Sequence, residues 1–134
     1  MSRPLITIPP EAELWEARAT MVAHHVHHLL VEDRGRVVAI VSDRDIAHRL
    51  GHATDHDASR REEEALHRRV LQVAAFRMFT IAVDAPIETA AAMLIEHEVS
   101  ALPVVGDSGD VVGIVTSVDL LRGLLACVLP ARAA

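Results

Sequence analysis

Aromatic residues are almost missing from this chain. Trp15, Phe76 and Phe79 are the whole set in 134 residues, and tyrosine is absent. A core therefore has to be built from Val, Ile, Leu, Ala and Met, and the stacking platforms that hold single-stranded nucleic acid have nothing to be made from. Cys127 is the single cysteine, so no internal disulfide and no CxxC metal or redox site can form; a small, buried apolar role is expected for it. Basic residues are the minority, 13 Lys and Arg against 19 Asp and Glu, for a formal charge of −6. That balance opposes a broad phosphate-neutralising face, and no nucleic-acid partner is expected. Arg60, Arg61, Arg68 and Arg69 do gather, but Glu62, Glu63 and Glu64 lie among them, which reads as a solvated, salt-bridged helix face. No apolar run reaches the length of a membrane-spanning helix, and Met1-Ser2-Arg3-Pro4 lacks the apolar stretch of a signal peptide. The expectation is a cytoplasmic chain with no membrane partner.

What the chain does have is aliphatic runs with helix starts behind them. In Gly113-Ile114-Val115-Thr116-Ser117-Val118-Asp119, the β-branched run Val111, Val112, Ile114, Val115 predicts a buried strand. Thr116 is a good N-cap, Asp119 follows three residues later, and Leu120, Leu121, Leu124 and Leu125 continue at helical spacing. A strand feeding a helix start presents free N–H groups at the positive end of the helix dipole, where an anion can bind. The same T-x-x-D spacing also serves simply to start a helix.

An internal repeat decides how to read it. Thr7-Ile8 answers Thr80-Ile81, Ala17 answers Ala90, Met21 answers Leu94, Val26 answers Val99 and Leu29 answers Leu102, all at an offset of 73. After one added residue in the second turn, Ile40-Val41-Ser42 answers Ile114-Val115-Thr116, and Asp45 answers Asp119. A single insertion confined to a turn is what a structural repeat tolerates. Each copy reads strand, helix, strand, strand, helix. The first has Thr7-Ile8, a helix over 11–24 with Leu14, Ala17, Arg18 and Met21 on one face, strands over 26–31 and 37–41, and a helix from Ser42 that fades near Gly51. The second has Thr80-Ile81, a helix over 87–98, strands over 99–105 and 111–115, and the final helix. So small a unit cannot cover both faces of its sheet, so the copies should pack about a pseudo-twofold axis and leave apolar helix surface for a second chain. The predicted class is α/β (α+β), two β-α-β-β-α repeats: 1–50, a connector 51–78 and 79–134. Within the connector, Ser59 with Glu62 predicts a capping-box start to a linking helix, with Leu66, Val70 and Val73 as its apolar stripe.

The chain resembles a tandem pair of CBS domains, the family named for cystathionine β-synthase. The likeness lies in 26–31 with 36–46 in the first half, and in 99–105 with 113–120 in the second. The resemblance implies a regulatory module rather than an enzyme, with two clefts between the repeats. It implies an adenine-containing ligand (AMP, ADP, ATP or S-adenosylmethionine), no required cofactor, a homodimer through the helices of the pair, and output through dimer geometry or an unidentified effector protein. The main cleft would use Thr116, Ser117 and Asp119, with Thr7, Ile8, His27 and His28 around the adenine. The second would use Ser42, Arg44 and Asp45, with Thr80, Ile81, Ser100 and Ala101. The chemistry agrees: a carboxylate offers two acceptor oxygens to the adjacent hydroxyls of a ribose, and Thr116 with the first-turn N–H groups can meet a phosphate. Three departures weaken the first motif. Ala39 stands for Gly113, Leu30 for Pro103, and Asp43 adds a carboxylate beside the expected phosphate, with Arg44 as a possible offset.

Two other classes compete. The clefts could be empty in a purely structural dimerisation module. Alternatively, the nine histidines, among them His24, His25, His27 and His28 and the i, i+4 pair His52 and His56, could sense a divalent metal. Imidazole ligands must converge on one ion, whereas His24 and His25 close a helix and His27 and His28 open a strand, where neighbours point to opposite faces. No metal site is expected. One histidine should cap the helix, one should line the cleft and two should be surface residues. Catalysis is not expected either, since no nucleophile setting and no glycine-rich phosphate loop occurs.

Overall fold

The structure, a computed structural model, describes residues 5–50 and 56–128. Contacts divide the chain into two units, one running Ile6–Arg77 and the other beginning at Met78. In the first, β1 (Thr7–Ile8) leads to α1 (Leu14–His24), β2 (His28–Asp33), β3 (Arg36–Ser42) and α2 (Asp43–Leu50). β1 pairs parallel to β2 and β2 antiparallel to β3, so β2 is the central strand. Leu29 and Val31 of β2, Ala39 and Val41 of β3, and Leu14, Ala17 and Met21 of α1 are buried in one apolar cluster with Ile46 of α2. Arg18, expected on that face of α1, is exposed; its charge is better placed in water. α1 ends where His25 adopts a left-handed conformation (φ 53°), its N–H reaching the carbonyls of Met21 and Val22.

The second unit repeats this plan with β4 (Ile81–Ala82), α4 (Ile87–Glu96), β5 (Ala101–Val105), β6 (Val111–Thr116) and α5 (Ser117–Val128). The strand register itself repeats. Leu29 opposite Val41 becomes Leu102 opposite Val115, His28 opposite Ser42 becomes Ala101 opposite Thr116, and a bulge follows Val31 in one sheet and Val104 in the other. The left-handed residue recurs as well, at His25 and Glu98. The extra residue lies in the turn between β5 and β6, as expected.

One difference between the copies has a definite cause. Leu30 N–H donates to Ile6 O (3.2 Å), tying β1 to the central strand. Pro103 occupies the matching place in β5 and has no N–H to give. β4 accordingly starts at Ile81, and Thr80, expected in the strand, precedes it. Phe79 instead stacks its ring on His97, with centroids 3.8 Å apart.

The connector packs with the first repeat. Its helix α3 spans His56–Leu66, so Ser59 lies within the helix and not at its N-cap, and the helix ends before Val70. Val70 sits in a short 3-10 turn (Val70–Gln72) and is buried in the first core. Backbone bonds hold it there: Val70 N–H to Ala12 O (2.8 Å), Leu14 N–H to Arg68 O (2.9 Å), and a reciprocal pair between Ile40 and Ala75 at the free edge of β3. Glu13 adds side-chain ties to Trp15 and to His67 (3.1 Å); these hydrogen bonds, Trp15's first, hold its carboxyl below the usual carboxylate range. The expected solvated face is present on α3, where Arg60 pairs with Glu64 at 3.8 Å.

α5 differs from α2 in what it leaves in water. None of its residues is buried, and Leu121, Leu124, Leu125 and Val128 are each more than half exposed. Cys127, expected to be buried, is exposed on the same helix. The helix runs about three turns, and of its residues Leu120, in the first turn, packs on the second core. Ile87 and Ile95 of α4 are also exposed.

Candidate ligand-binding motifs

Each repeat ends its third strand in the same small device. In the second, Thr116 N–H donates to Asp119 Oδ2 (2.9 Å) and Asp119 N–H donates to Thr116 Oγ1 (3.1 Å), a reciprocal capping box. Ser117 N–H donates to Ser100 O at 3.0 Å. Three of the four N–H groups that a helix start leaves over are thus taken, and Val118 N–H is the one without a partner among the described residues. The expectation that the first turn as a whole receives a phosphate is narrowed to that N–H and the Thr116 hydroxyl, whose oxygen accepts within the box while its proton remains available. Asp119 Oδ1 makes no hydrogen bond among the described residues, leaving one acceptor edge for a hydroxyl pair. Both residues are half-buried, so they are held rigidly and still reachable.

The first motif has the same box: Ser42 N–H to Asp45 Oδ2 (2.9 Å) and Asp45 N–H to Ser42 Oγ (3.0 Å). Asp43 N–H donates to His27 O (2.9 Å) as Ser117 does to Ser100. Its surroundings differ. Where the second motif has Ser100 and Ser117, the first has His27 and Asp43, joined through Nδ1 and Oδ2 at 2.7 Å. Where the second has Ala101, the first has His28, half-buried on β2. Burial pushes the His28 imidazole below its ordinary value, against the pull of Asp43 and Asp45 in the other direction. Arg44 is exposed. Asp43, expected as a repelling charge offset by Arg44, is paired with His27. The available signal was the register: Ser42 opposite His28 sets the residue before β2 beside the residue after β3.

The remaining predicted residues divide by burial. Thr7 and Thr80 are exposed. Ile8 and Ile81 are packed into the two cores, so what each can offer a ligand is chiefly its backbone. Ala101 is likewise buried. Within its own unit each motif is joined by its own strand entry: His27 and His28 lie beside Ser42, Asp43 and Asp45, and Ser100 and Ala101 beside Thr116 and Ser117. Of the histidines, His25 caps α1 through its backbone, while His24 and His27 are exposed. His52 lies outside the described residues, as does the side chain of His56. Among the described residues, no group of three or more His, Cys, Asp or Glu could hold a metal ion, and no helix is long and apolar enough to cross a membrane.

This doubled geometry has a known counterpart. The CBS domain profile matches residues 1–52 and 72–126. The chain belongs to the CBS domain family. Similar proteins include the L-aspartate semialdehyde sulfurtransferase of Methanocaldococcus jannaschii, 32% identical over 91% of this chain and 22% of that protein. Another is human 5'-AMP-activated protein kinase subunit gamma-3, 31% identical over 90% of this chain and 25% of that subunit. This CBS chain therefore spans about a quarter of the length of the curated relatives it matches first. Among solved structures, the CBS domain pair of protein MJ0100 in complex with 5'-methylthioadenosine and S-adenosyl-L-methionine superposes with a TM-score of 0.75. It is 28% identical, with 92% of this chain and 90% of that one covered.

Proposed function

We propose that this CBS pair is a regulatory module that senses an adenosine-containing ligand and passes occupancy on through its helices. The observation that carries the reading is the duplicated capping box, in which Thr116 and Asp119 keep one hydroxyl proton and one carboxylate oxygen available. The CBS pair solved with two adenosine derivatives supports it. Asp119 would take the ribose hydroxyls, and Thr116 with Val118 N–H would take a 5' phosphate. Ser117 and, across the repeats, Thr7, His27 and His28 with the Ile8 backbone would surround the rest. Ser42, Arg44 and Asp45, with Thr80, Ser100, Ala101 and the Ile81 backbone, would form the second position. Neither role asks for a nucleophile or a resident cofactor, so the module is read as non-catalytic.

Transmission follows from α5. Its N-terminus holds Thr116 and Asp119, and its following two turns, roughly, expose Leu121, Leu124, Leu125 and Val128. A contiguous apolar patch on a helix is an association surface, and a second copy of the chain through these helices is the proposed occupant. A ligand that fixes the start of α5 biases the surface further along the same rigid element, to the extent that it binds one arrangement better than the other. The gamma-3 subunit relative is by its name part of a kinase assembly, which supports a second output, through an effector protein.

Thermal unfolding with AMP, ATP, S-adenosylmethionine and 5'-methylthioadenosine tests the reading. A ligand of the native state raises Tm progressively with concentration. A concentration-dependent rise is expected for at least one of the four; no shift for any at millimolar concentration, on protein that unfolds cooperatively, would contradict it and leave the dimerisation module with empty clefts.

A further inference from the structure

The two motifs share a backbone but not a charge pattern. Around the second stand Ser100, Ala101, Ser117, Val118 and Asp119; the same places around the first hold His27, His28, Asp43, Arg44 and Asp45. One ionisable side chain in the second copy is matched by five in the first. We infer that the first motif takes an adenosine ligand with no negative charge at its 5' position, and that Asp43, held by His27, is the residue that excludes phosphate. The inference rests on the adenosine-sensing reading and assigns a ligand class to one of its two positions.

The N-terminus of α2 has one N–H without a partner among the described residues, that of Arg44, because Ser42, Asp43 and Asp45 donate within the repeat. A phosphate approaching that N–H meets the Asp43 carboxylate one residue away. The carboxylate has a partner that keeps it at this end of the helix, His27 Nδ1 at 2.7 Å from Oδ2. The dipole that would favour an anion is already met by two carboxylates, Asp43 and Asp45, where the second motif has only Asp119. Arg44 offsets Asp43 only in part: the next position on a helix is turned by about 100° around the axis, and its side chain is exposed to water, which screens its charge. The ribose-binding part is untouched, since Asp45 makes the same box contacts as Asp119. A site that keeps its ribose acceptor and places a carboxylate at the phosphate position suits a nucleoside with a neutral or cationic 5' group, such as a thioether or a sulfonium. Ser117 at the matching place of the second motif offers a hydroxyl and no charge, so the two positions discriminate between ligands that differ only at the 5' end.

Isothermal titration separates them, with AMP and 5'-methylthioadenosine as probes. In Asp119→Ala the second position is disabled; this variant is expected to bind 5'-methylthioadenosine once per chain and AMP at least about tenfold more weakly. Adding Asp43→Ser, the residue of the second copy, or Asp43→Asn, which keeps the size and an acceptor for His27, should tighten AMP by about tenfold or more. Affinity for 5'-methylthioadenosine should change by less than about threefold. A purely structural role for Asp43 would move both ligands together. The inference is overturned if Asp119→Ala binds AMP as tightly as 5'-methylthioadenosine, if it binds neither while the unaltered protein binds one, or if neither Asp43 variant changes the AMP preference. If the unaltered protein binds neither AMP nor 5'-methylthioadenosine, the inference is overturned too, and the sensing reading falls with it when ATP and S-adenosylmethionine also fail to bind, an outcome distinct from the other three.

Discussion

Thr116 caps its helix and, in the proposed reading, also binds the ligand. Its oxygen closes the box on Asp119 N–H, and its proton is what a phosphate would take. Thr116→Ala should therefore cost roughly 0.5–2 kcal/mol of stability, the usual effect of losing an N-cap, and should also weaken AMP binding, while Thr116→Ser restores both; denaturant unfolding and titration of the same preparations check this. His28 gives the second residue-level expectation. Burial lowers its pKa in the folded protein, whereas the unfolded chain takes a proton near the ordinary value of about 6.5. Below that pH the unfolded state binds more protons, so this contribution to stability is full above about pH 6.5 and is lost as pH falls. His28→Ala, which copies Ala101, should flatten the fall in Tm between pH 7.5 and 5.5, as followed by circular dichroism; an unchanged slope would contradict the burial account.

The elements were legible in the sequence to the extent that their determinants are local. Both capping boxes, the single insertion in the second turn and the strand pairs at offset 73 can be read from Ser42/Asp45, Thr116/Asp119 and the β-branched runs alone. What was not legible depends on a partner distant in the chain. Pro103 costs the sheet the bond that Leu30 makes, and β4 starts one residue late; Pro103 is plain to see, but its acceptor is known only once the strands are paired. The Ser59/Glu62 pattern pointed to a helix start, yet the helix already runs from His56. Free cysteines are commonly buried, but Cys127 lies in the exposed last turns of α5, beside Leu124 and Val128. The apolar stripe of the connector marks Val70 as a packing residue, but that Val70 and Ala74 belong to the first core shows only in the folded chain. Leu14, fully buried where α1 meets that connector, should therefore be costly to truncate. Leu14→Ala is expected to lose about 2–5 kcal/mol by chemical denaturation, while Leu124→Ala on α5 should change monomer stability little.

At the scale of the whole molecule, the last helix of the first repeat turns a polar face to water and that of the second an apolar one. α2 is mostly polar outside Ile46 and Leu50, which pack on the core, whereas α5 exposes four aliphatic side chains along about two turns. Association is expected to depend on the second repeat. Leu121→Glu with Leu125→Glu should shift the mass found by light scattering from dimer to monomer without loss of helical signal, and an unchanged mass would remove α5 from the interface. The central claim, however, concerns the ligand. Titration of AMP into the unaltered protein and into Asp119→Ala tests it most directly. The account predicts one site per chain, lost or weakened by roughly 10–100-fold in the variant, in line with the removal of charge-assisted hydrogen bonds; equal affinity and stoichiometry in the two proteins would contradict it.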